Sequence, residues 1–330
     1  MNTDLFIITS PLQLINAIEA RKYFKTTNNQ LVAVFTEFKS KNKNQILSLI
    51  NENEWNNVLH YDLRSKDSKT TFFKQIKLIK LLEQQAYNNV FCGDLNSLIK
   101  MILANISKKK VYLLDDGAVT INRYLRDLGS KNKPVKKDSF RRLRFNIFGI
   151  KTTQKDIINM FTSYKLAPHA DEEIIHNNLE FFKKEFLTDT TVDENVYILG
   201  QSLSETNIVN RETYLNYIKF IQDYYSDSSI LYIPHRAETN LEDIEKLQDD
   251  TFTVYHTKLP IELEFINAKK YPMKICSFFS SALFTLNILY PESSIIAFKI
   301  NIQDAKKPLD TINDVYNYIE SSTTIKTVNL

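Results

Sequence analysis

The alternation of short apolar runs with longer amphipathic ones constrains this chain most. Strand-like runs fall at residues 5–10 (LFIITS), 31–36 (LVAVFT), 89–93 (NVFCG), 111–117 (VYLLDDG) and 195–200 (NVYILG). They recur at 230–234 (ILYIP), 252–256 (FTVYH), 274–278 (KICSF) and 294–298 (SIIAF). Between them lie helical patterns such as LQLINAIEARKYF (12–24), FFKQIKLIKLLEQQ (72–85) and RETYLNYIKFIQDYY (211–225). Strands that alternate with helices of this length imply parallel sheets with helical crossovers. The chain has 330 residues, more than one hydrophobic core usually supports. The expected fold is therefore α/β, with two doubly wound domains at 1–150 and 191–330. A linker or excursion at 151–190 separates them.

Composition narrows the function. A net charge of +3 over 330 residues gives no electrostatic footprint for nucleic acid. Both cysteines, Cys92 and Cys276, sit in apolar runs and read as buried free thiols in a reducing compartment. The start, MNTDLFIITSPLQ, has no basic segment before its apolar run, so no signal peptide is expected. No window reaches the roughly 18 apolar residues of a membrane span. A cytoplasmic protein is expected, with peripheral attachment to the inner face of the membrane left open. The glycine patterns of dinucleotide and P-loop sites are absent, as are GxSxG and HExxH.

Only five glycines occur, and Gly93, Gly117 and Gly200 directly follow or end apolar runs. Ligands of open α/β sheets bind beyond the carboxyl ends of the strands. Chemistry-bearing residues cluster at the same places. In LLDDG, Asp115 and Asp116 precede Gly117; neighbouring carboxylates raise one another's pKa, which suits a base for a sugar hydroxyl. Asp-Gly is also a turn signal. In ILYIPHRAET, His235 and Arg236 follow the run. The histidine can donate a proton near neutral pH, and the arginine can grip a carboxylate or phosphate.

Ser280 and Ser281 precede the helical pattern ALFTLNIL, so they are ordinary N-cap residues and also a ready phosphate site. Glu262 follows Pro260 at a helix start, where it can favour the helix dipole or accept ribose hydroxyls. Gly200 and Gln201 open a polar loop suited to a nucleotide, and Ser10 and Gln13 flank the first helix start. No His, Cys or carboxylate spacing suggests a metal site.

One region breaks the alternation. From Lys131 to Lys151 there are eight Lys or Arg and one acid, Asp138, interleaved with Phe140, Phe145, Ile147 and Phe148. Such a run is a solvated face or an amphipathic membrane-surface segment.

Taken in order, TSPLQLINAIEA, DDG, YILGQ, YIPH, PIE and the paired serines resemble the motifs of bacterial sialyltransferases, and among them glycosyltransferase family 52, the lipooligosaccharide sialyltransferases. The resemblance implies a GT-B fold, two Rossmann-like domains facing a cleft, with an acceptor-side N-terminal domain and a CMP-sugar-binding C-terminal domain. It implies inverting transfer of sialic acid or a related nonulosonic acid, without a metal or cofactor. The acceptor would be a hydroxyl of a cell-surface glycan, such as a galactoside of lipooligosaccharide or capsule. Asp115 or Asp116 would be the base, with Gly117, Ser10 and Gln13 on the acceptor side. His235 would protonate or hydrogen-bond the leaving phosphate, and Ser280 and Ser281 would hold it. Glu262 would bind ribose, and Gly200 and Gln201 would lie near cytidine. The family pattern places proline after the histidine; here Arg236 stands there and Pro234 precedes it, so Arg236 is a candidate donor contact. A homodimer is compatible with the resemblance. The alternatives are a transferase for CMP-Kdo or a UDP-sugar, and a non-catalytic glycan-binding relative.

Overall fold

The computed structural model describes residues 3–36, 41–125, 140–169 and 171–330. The chain forms two units. The first comprises 1–116 and 125–178, the second 117–124 and 179–330.

In the first unit the order is β1 (Thr3–Ile8), α1 (Pro11–Tyr23), β2 (Asn29–Phe35), α2 (Lys41–Leu49), β3 (Asn57–Asp62), α3 (Ser68–Leu82), β4 (Ala86–Cys92), α4 (Ser97–Asn105) and β5 (Ser107–Leu114). The short α5 (Val119–Arg123) belongs to the second unit. The chain then returns through α6 (Phe140–Ile147), β6 (Ile158–Thr162) and β7 (Ile174–His176). The second unit continues with α7 (Glu180–Phe186), β8 (Thr191–Leu199), α8 (Arg211–Tyr224), β9 (Ile230–Ile233), α9 (Glu242–Glu245) and β10 (Phe252–Val254). It ends with α10 (Ile261–Asn267), β11 (Lys270–Ser277), α11 (Ala282–Leu289), β12 (Ser294–Lys299), α12 (Asp310–Ser322) and β13 (Lys326–Asn329).

Both sheets are wholly parallel. Their strand orders are β3-β2-β1-β4-β5-β6-β7 and β10-β9-β8-β11-β12-β13. Each sheet starts at its middle and reverses direction, between β1 and β4 in the first and between β8 and β11 in the second. These are topological switch points, where crevices open at the carboxyl ends of the strands. Central strands covered on both faces must be apolar throughout, and β2 is buried at all seven positions.

The first core carries an aromatic ladder. Phe6, Phe91 and Tyr112 are register partners on β1, β4 and β5. Their rings stack at 4.5 and 5.3 Å, close to the spacing between adjacent strands.

The stretch 151–190, expected as a linker, instead supplies β6 and β7 to the first sheet and α7 to the second unit. Residues 126–139, with four of the eight cations of the basic run, lie outside the described residues. Both cysteines are buried, and neither is in a disulfide. No helix among the described residues is long and apolar enough to cross a membrane.

Candidate active site

On the first sheet, the site residues gather at the carboxyl ends of β1, β4, β5 and β6. Ser10, two residues past β1, is extended (φ −139°) at the N-cap of α1, and its Oγ accepts the Gln13 N–H at 3.3 Å. With Pro11 at the first helical position, this fixes where α1 begins. The same hydroxyl donates to Asp116 Oδ1 at 3.4 Å. Gln13 lies over the end of β4, buried to 1 % exposure, and its Oε1 accepts the Thr9 N–H at 2.7 Å. Gly93 makes room for it, because a Cβ there would collide with the Gln13 side chain.

The two adjacent aspartates have different environments. Asp115 is 2 % exposed. Its carboxylate accepts Thr162 Oγ1–H at 2.6 Å and both the N–H and Oγ–H of Ser163 at 2.7 Å. Burial pushes its pKa up to about 6, against the pull of those donors and with a smaller push from Asp116. Asn16 donates to the Asp115 carbonyl at 3.4 Å and is held in turn by Asn177 at 2.9 Å. Asp115 thus ties β5 to β6, whereas Asp116 is half-buried beside Ser10. Gly117 then takes a left-handed conformation (φ +71°), which glycine adopts without a Cβ penalty. Thr162, Ser163, Asn16 and Asn177 carried no sequence signal of their own. Their part in the site depends on contacts 47 to 161 residues away.

On the second sheet, the loops after β8, β9 and β11 are joined by hydrogen bonds. Gly200 N–H donates to the Ile233 carbonyl at 2.8 Å. Gln201 Oε1 accepts the Phe279 N–H at 2.9 Å, and its own N–H donates to Tyr214 Oη at 3.0 Å. This places Gly200 and Gln201 against the backbone that leads into Ser280, Ser281 and α11. Ser280 Oγ accepts the Ala282 N–H at 3.4 Å, and Ser281 stands at the N-cap of α11 with no side-chain cap bond.

His235 is fixed by a residue absent from the sequence expectations. Glu238 is 7 % exposed. Its carboxylate accepts Tyr232 Oη–H at 2.6 Å, Tyr214 Oη–H at 3.0 Å and the His235 N–H at 2.6 Å. Burial pushes its pKa up to about 7 against those donors. A Cβ on Gly200 would strike Glu238 and Tyr232, so the glycine ending β8 and the loop ending β9 fit one another. The available signal was a carboxylate three residues after a strand-end histidine.

The His235 ring lies at the surface. Its Nδ1 accepts the Ala237 N–H at 3.2 Å, which leaves Nε2 to carry the proton of the neutral imidazole. Partial desolvation by the loop, then the Arg236 charge, lower its pKa, with Glu205 opposing. Arg236 is exposed on the same loop. Glu262 lies just inside α10 but turns into the unit, where it accepts Thr285 Oγ1–H at 2.6 Å at 8 % exposure. Burial raises its pKa. It therefore braces α10 against α11. Among the described residues no group of three or more His, Cys, Asp or Glu is arranged to hold a metal ion.

Residues 4–299 match the sequence model of the alpha-2,8-polysialyltransferase (POLYST) family. No curated protein matches. Among solved structures, the UDP-GlcNAc 2-epimerase of Methanocaldococcus jannaschii is similar over 98% of this chain and 93% of its own, at 14% identity and a TM-score of 0.52. A 2,6-sialyltransferase from Vibrionaceae Photobacterium sp. JT-ISH-224, solved with CMP and lactose, is similar over 98% of this chain and 78% of its own, at 14% identity and 0.52. Spinosyn rhamnosyltransferase SpnG, solved with thymidine diphosphate, is similar over 99% and 86%, at 9% identity and 0.51. At these identities the likeness is one of fold, the paired Rossmann-like sheets of GT-B glycosyltransferases. The matching family model is the polysialyltransferase one rather than that of glycosyltransferase family 52. With 4–299 of its 330 residues matched, the chain belongs to the alpha-2,8-polysialyltransferase family and is a sialyltransferase.

Proposed function

We propose that this sialyltransferase moves sialic acid, or a related nonulosonic acid, from a CMP-activated donor to a hydroxyl of a cell-surface glycan, with inversion and without a metal. The observation that carries this reading is the hydrogen-bonded network on the second sheet. It holds His235 with Nε2 as its donor and joins that loop, through Gly200 and Gln201, to the serines that open α11. Donor groups converging at the switch point of a parallel sheet suit a nucleotide phosphate. The family's name makes a sialic acid hydroxyl the first acceptor to test, and a galactoside of lipooligosaccharide or capsule the second.

In this reading the acceptor oxygen attacks the anomeric carbon of the donor sugar. The bond from that carbon to the phosphate oxygen breaks, and CMP leaves. The acceptor proton passes to Asp116, whose carboxylate is half-buried and held by Ser10. Asp115 is the positioning group, since it is buried and already accepts three hydrogen bonds. Charge grows on the leaving phosphate, where the His235 Nε2–H and the hydroxyls of Ser280 and Ser281 stabilise it. His235 does this as a neutral donor, consistent with its lowered pKa. Arg236 adds a cation for the donor's carboxylate or phosphate. Proton transfer of this kind contributes about 10²–10⁴ in rate.

The test is CMP release from CMP-N-acetylneuraminate with no acceptor, with lactose and with sialyllactose, for wild type and His235→Ala. Acceptor-stimulated release that the variant loses supports the reading. Turnover only with CMP-Kdo or a UDP-sugar would reassign the donor. CMP binding without turnover of any donor would leave a glycan-binding relative.

A further inference from the structure

Two helices of the first unit build a surface that the transfer reaction does not use. Helix α3 reads SKTTFFKQIKLIKLL, with four lysines and no acid. Lys74 is spent inside the unit, donating to the Arg64 carbonyl at 3.0 Å, and Lys80 pairs with Glu83 at 2.8 Å. Lys69, Phe73 and Lys77 stand four residues apart, so they share one face, and all three are exposed. Helix α6 reads FRRLRFNI, with three arginines and no acid.

Ring contacts fix α6 to α3. Phe145 packs on Phe72 at 4.6 Å, and Phe148 packs on Phe72 at 5.6 Å and on Phe73 at 5.8 Å. The Arg144 guanidinium lies over Phe72 at 4.4 Å. Gly149, at φ +69°, ends the helix, and the Ile150 N–H returns to the Phe145 carbonyl at 3.1 Å. The packed pair of helices leaves large apolar side chains in solvent. Ile147 is 83 % exposed, Phe73 54 %, Leu143 49 % and Phe148 43 %. Leu143 and Ile147 are one turn apart, and Phe148 carries their strip to Phe73 and the α3 lysines.

We propose that this α3–α6 surface rests on an anionic lipid bilayer. Apolar side chains flanked by cations, on helices without an acid, are what an interface of acyl chains under negative headgroups recognises. The long basic side chains can reach the headgroups while their stems cover apolar surface. A soluble polyanion would use the cations alone and give Leu143 and Ile147 nothing to touch. The inference does not depend on which donor or acceptor the enzyme uses.

The experiment is cosedimentation of the full chain with phosphatidylcholine vesicles, with and without phosphatidylglycerol, over a salt series. Binding is expected to need phosphatidylglycerol and to weaken with salt. Each lysine near an anionic surface contributes about a fivefold factor, so Lys69→Glu/Lys77→Glu should lower binding by more than about 20-fold. Leu143→Ser/Ile147→Ser should lower it at least about tenfold, while the melting temperature and CMP release with a soluble acceptor stay unchanged. Absence of binding to phosphatidylglycerol vesicles overturns the proposal. So does binding that the serine pair leaves intact, which would assign the cations to a soluble polyanion. Self-association abolished by the serine pair, without vesicle binding, would assign the face to a second copy and also overturn it.

Discussion

The carboxylate of Glu238 accepts the backbone N–H of His235 at 2.6 Å. Through that bond a buried acid sets the path of the loop that presents the imidazole, while Tyr232 and Tyr214 saturate the same carboxylate. Glu238→Ala removes the acceptor of three hydrogen bonds and leaves the two buried tyrosine hydroxyls only one another to bond, at 2.8 Å, a change that costs about 2–4 kcal/mol. The expected kinetic effect is a loss of about 10–100-fold in kcat/KM for the donor. Glu238→Gln keeps an oxygen for the His235 N–H and should recover most of that loss. Equal damage from both substitutions would show that the charge, not the bond, matters.

The same residue makes a stability prediction with a definite sign. Its folded pKa, about 7, is above the unfolded value of about 4.3. The stabilisation from its proton is therefore complete below about pH 4 and fades as pH rises through 7. The melting temperature of Glu238→Gln, measured relative to wild type, should rise between pH 5 and 8, by an amount equivalent to at most ~3 kcal/mol. A flat difference across that range would mean that the carboxyl titrates normally.

His235 gives a kinetic counterpart. Its pKa is lowered, and its Nδ1 already accepts a hydrogen bond. A neutral ring therefore serves as donor through Nε2. The expected kcat profile shows no falling limb from pH 6.5 to 8 that His235→Gln removes, and His235→Ala costs about 10²–10³ in kcat. A tenfold loss per pH unit above 6.5 would make the imidazolium the active form.

The paired aspartates should separate cleanly. Asp116→Asn is expected to lower kcat about 10²–10⁴ while leaving CMP affinity and melting temperature unchanged. Asp115→Ala leaves Thr162 and Ser163 without their acceptor and should cost about 2–4 kcal/mol of stability. Stability and CMP titration curves distinguish the two. A destabilised Asp116→Asn would return that residue to a structural role.

Much of the fold was legible because the central strands are apolar on both faces. The runs at 31–36 and 111–114 announce β2 and β5 from the sequence alone. Of the four edge strands only β10 was, in the run at 252–256. β3 is half-exposed along most of NVLHYD, and β7 and β13 are only three and four residues long. β6 hid behind the basic run that precedes it. In the site, a position just after a strand was readable for Ser10, Asp116 and His235. The supports of those residues were not, because a carboxylate's donors are set by which strands become neighbours. Ser163 reaches Asp115 across 48 residues only because β6 lies beside β5. Glu238 was within reach of sequence reasoning, three residues past the histidine, but its burial depends on Gly200 having no side chain.

That dependence yields the last prediction. Gly200 ends β8 with its backbone against Tyr232 and Glu238, and an added Cβ would meet both. Tyr232 is fully buried and Glu238 nearly so, so neither can swing into solvent without breaking the bonds among Tyr214, Tyr232 and Glu238. Overpacking of this kind costs about 1–3 kcal/mol, and here it acts on the group that holds His235. Gly200→Ala is expected to lower the melting temperature and to weaken CMP binding, measured by calorimetry. Gly93→Ala collides instead with Gln13 on the first sheet. It should lower stability similarly but leave CMP affinity intact, because nothing on the second sheet moves. If Gly200→Ala bound CMP like wild type, the link from β8 to the histidine loop would not govern the donor site. The phosphate would then have to be held from the α11 side alone.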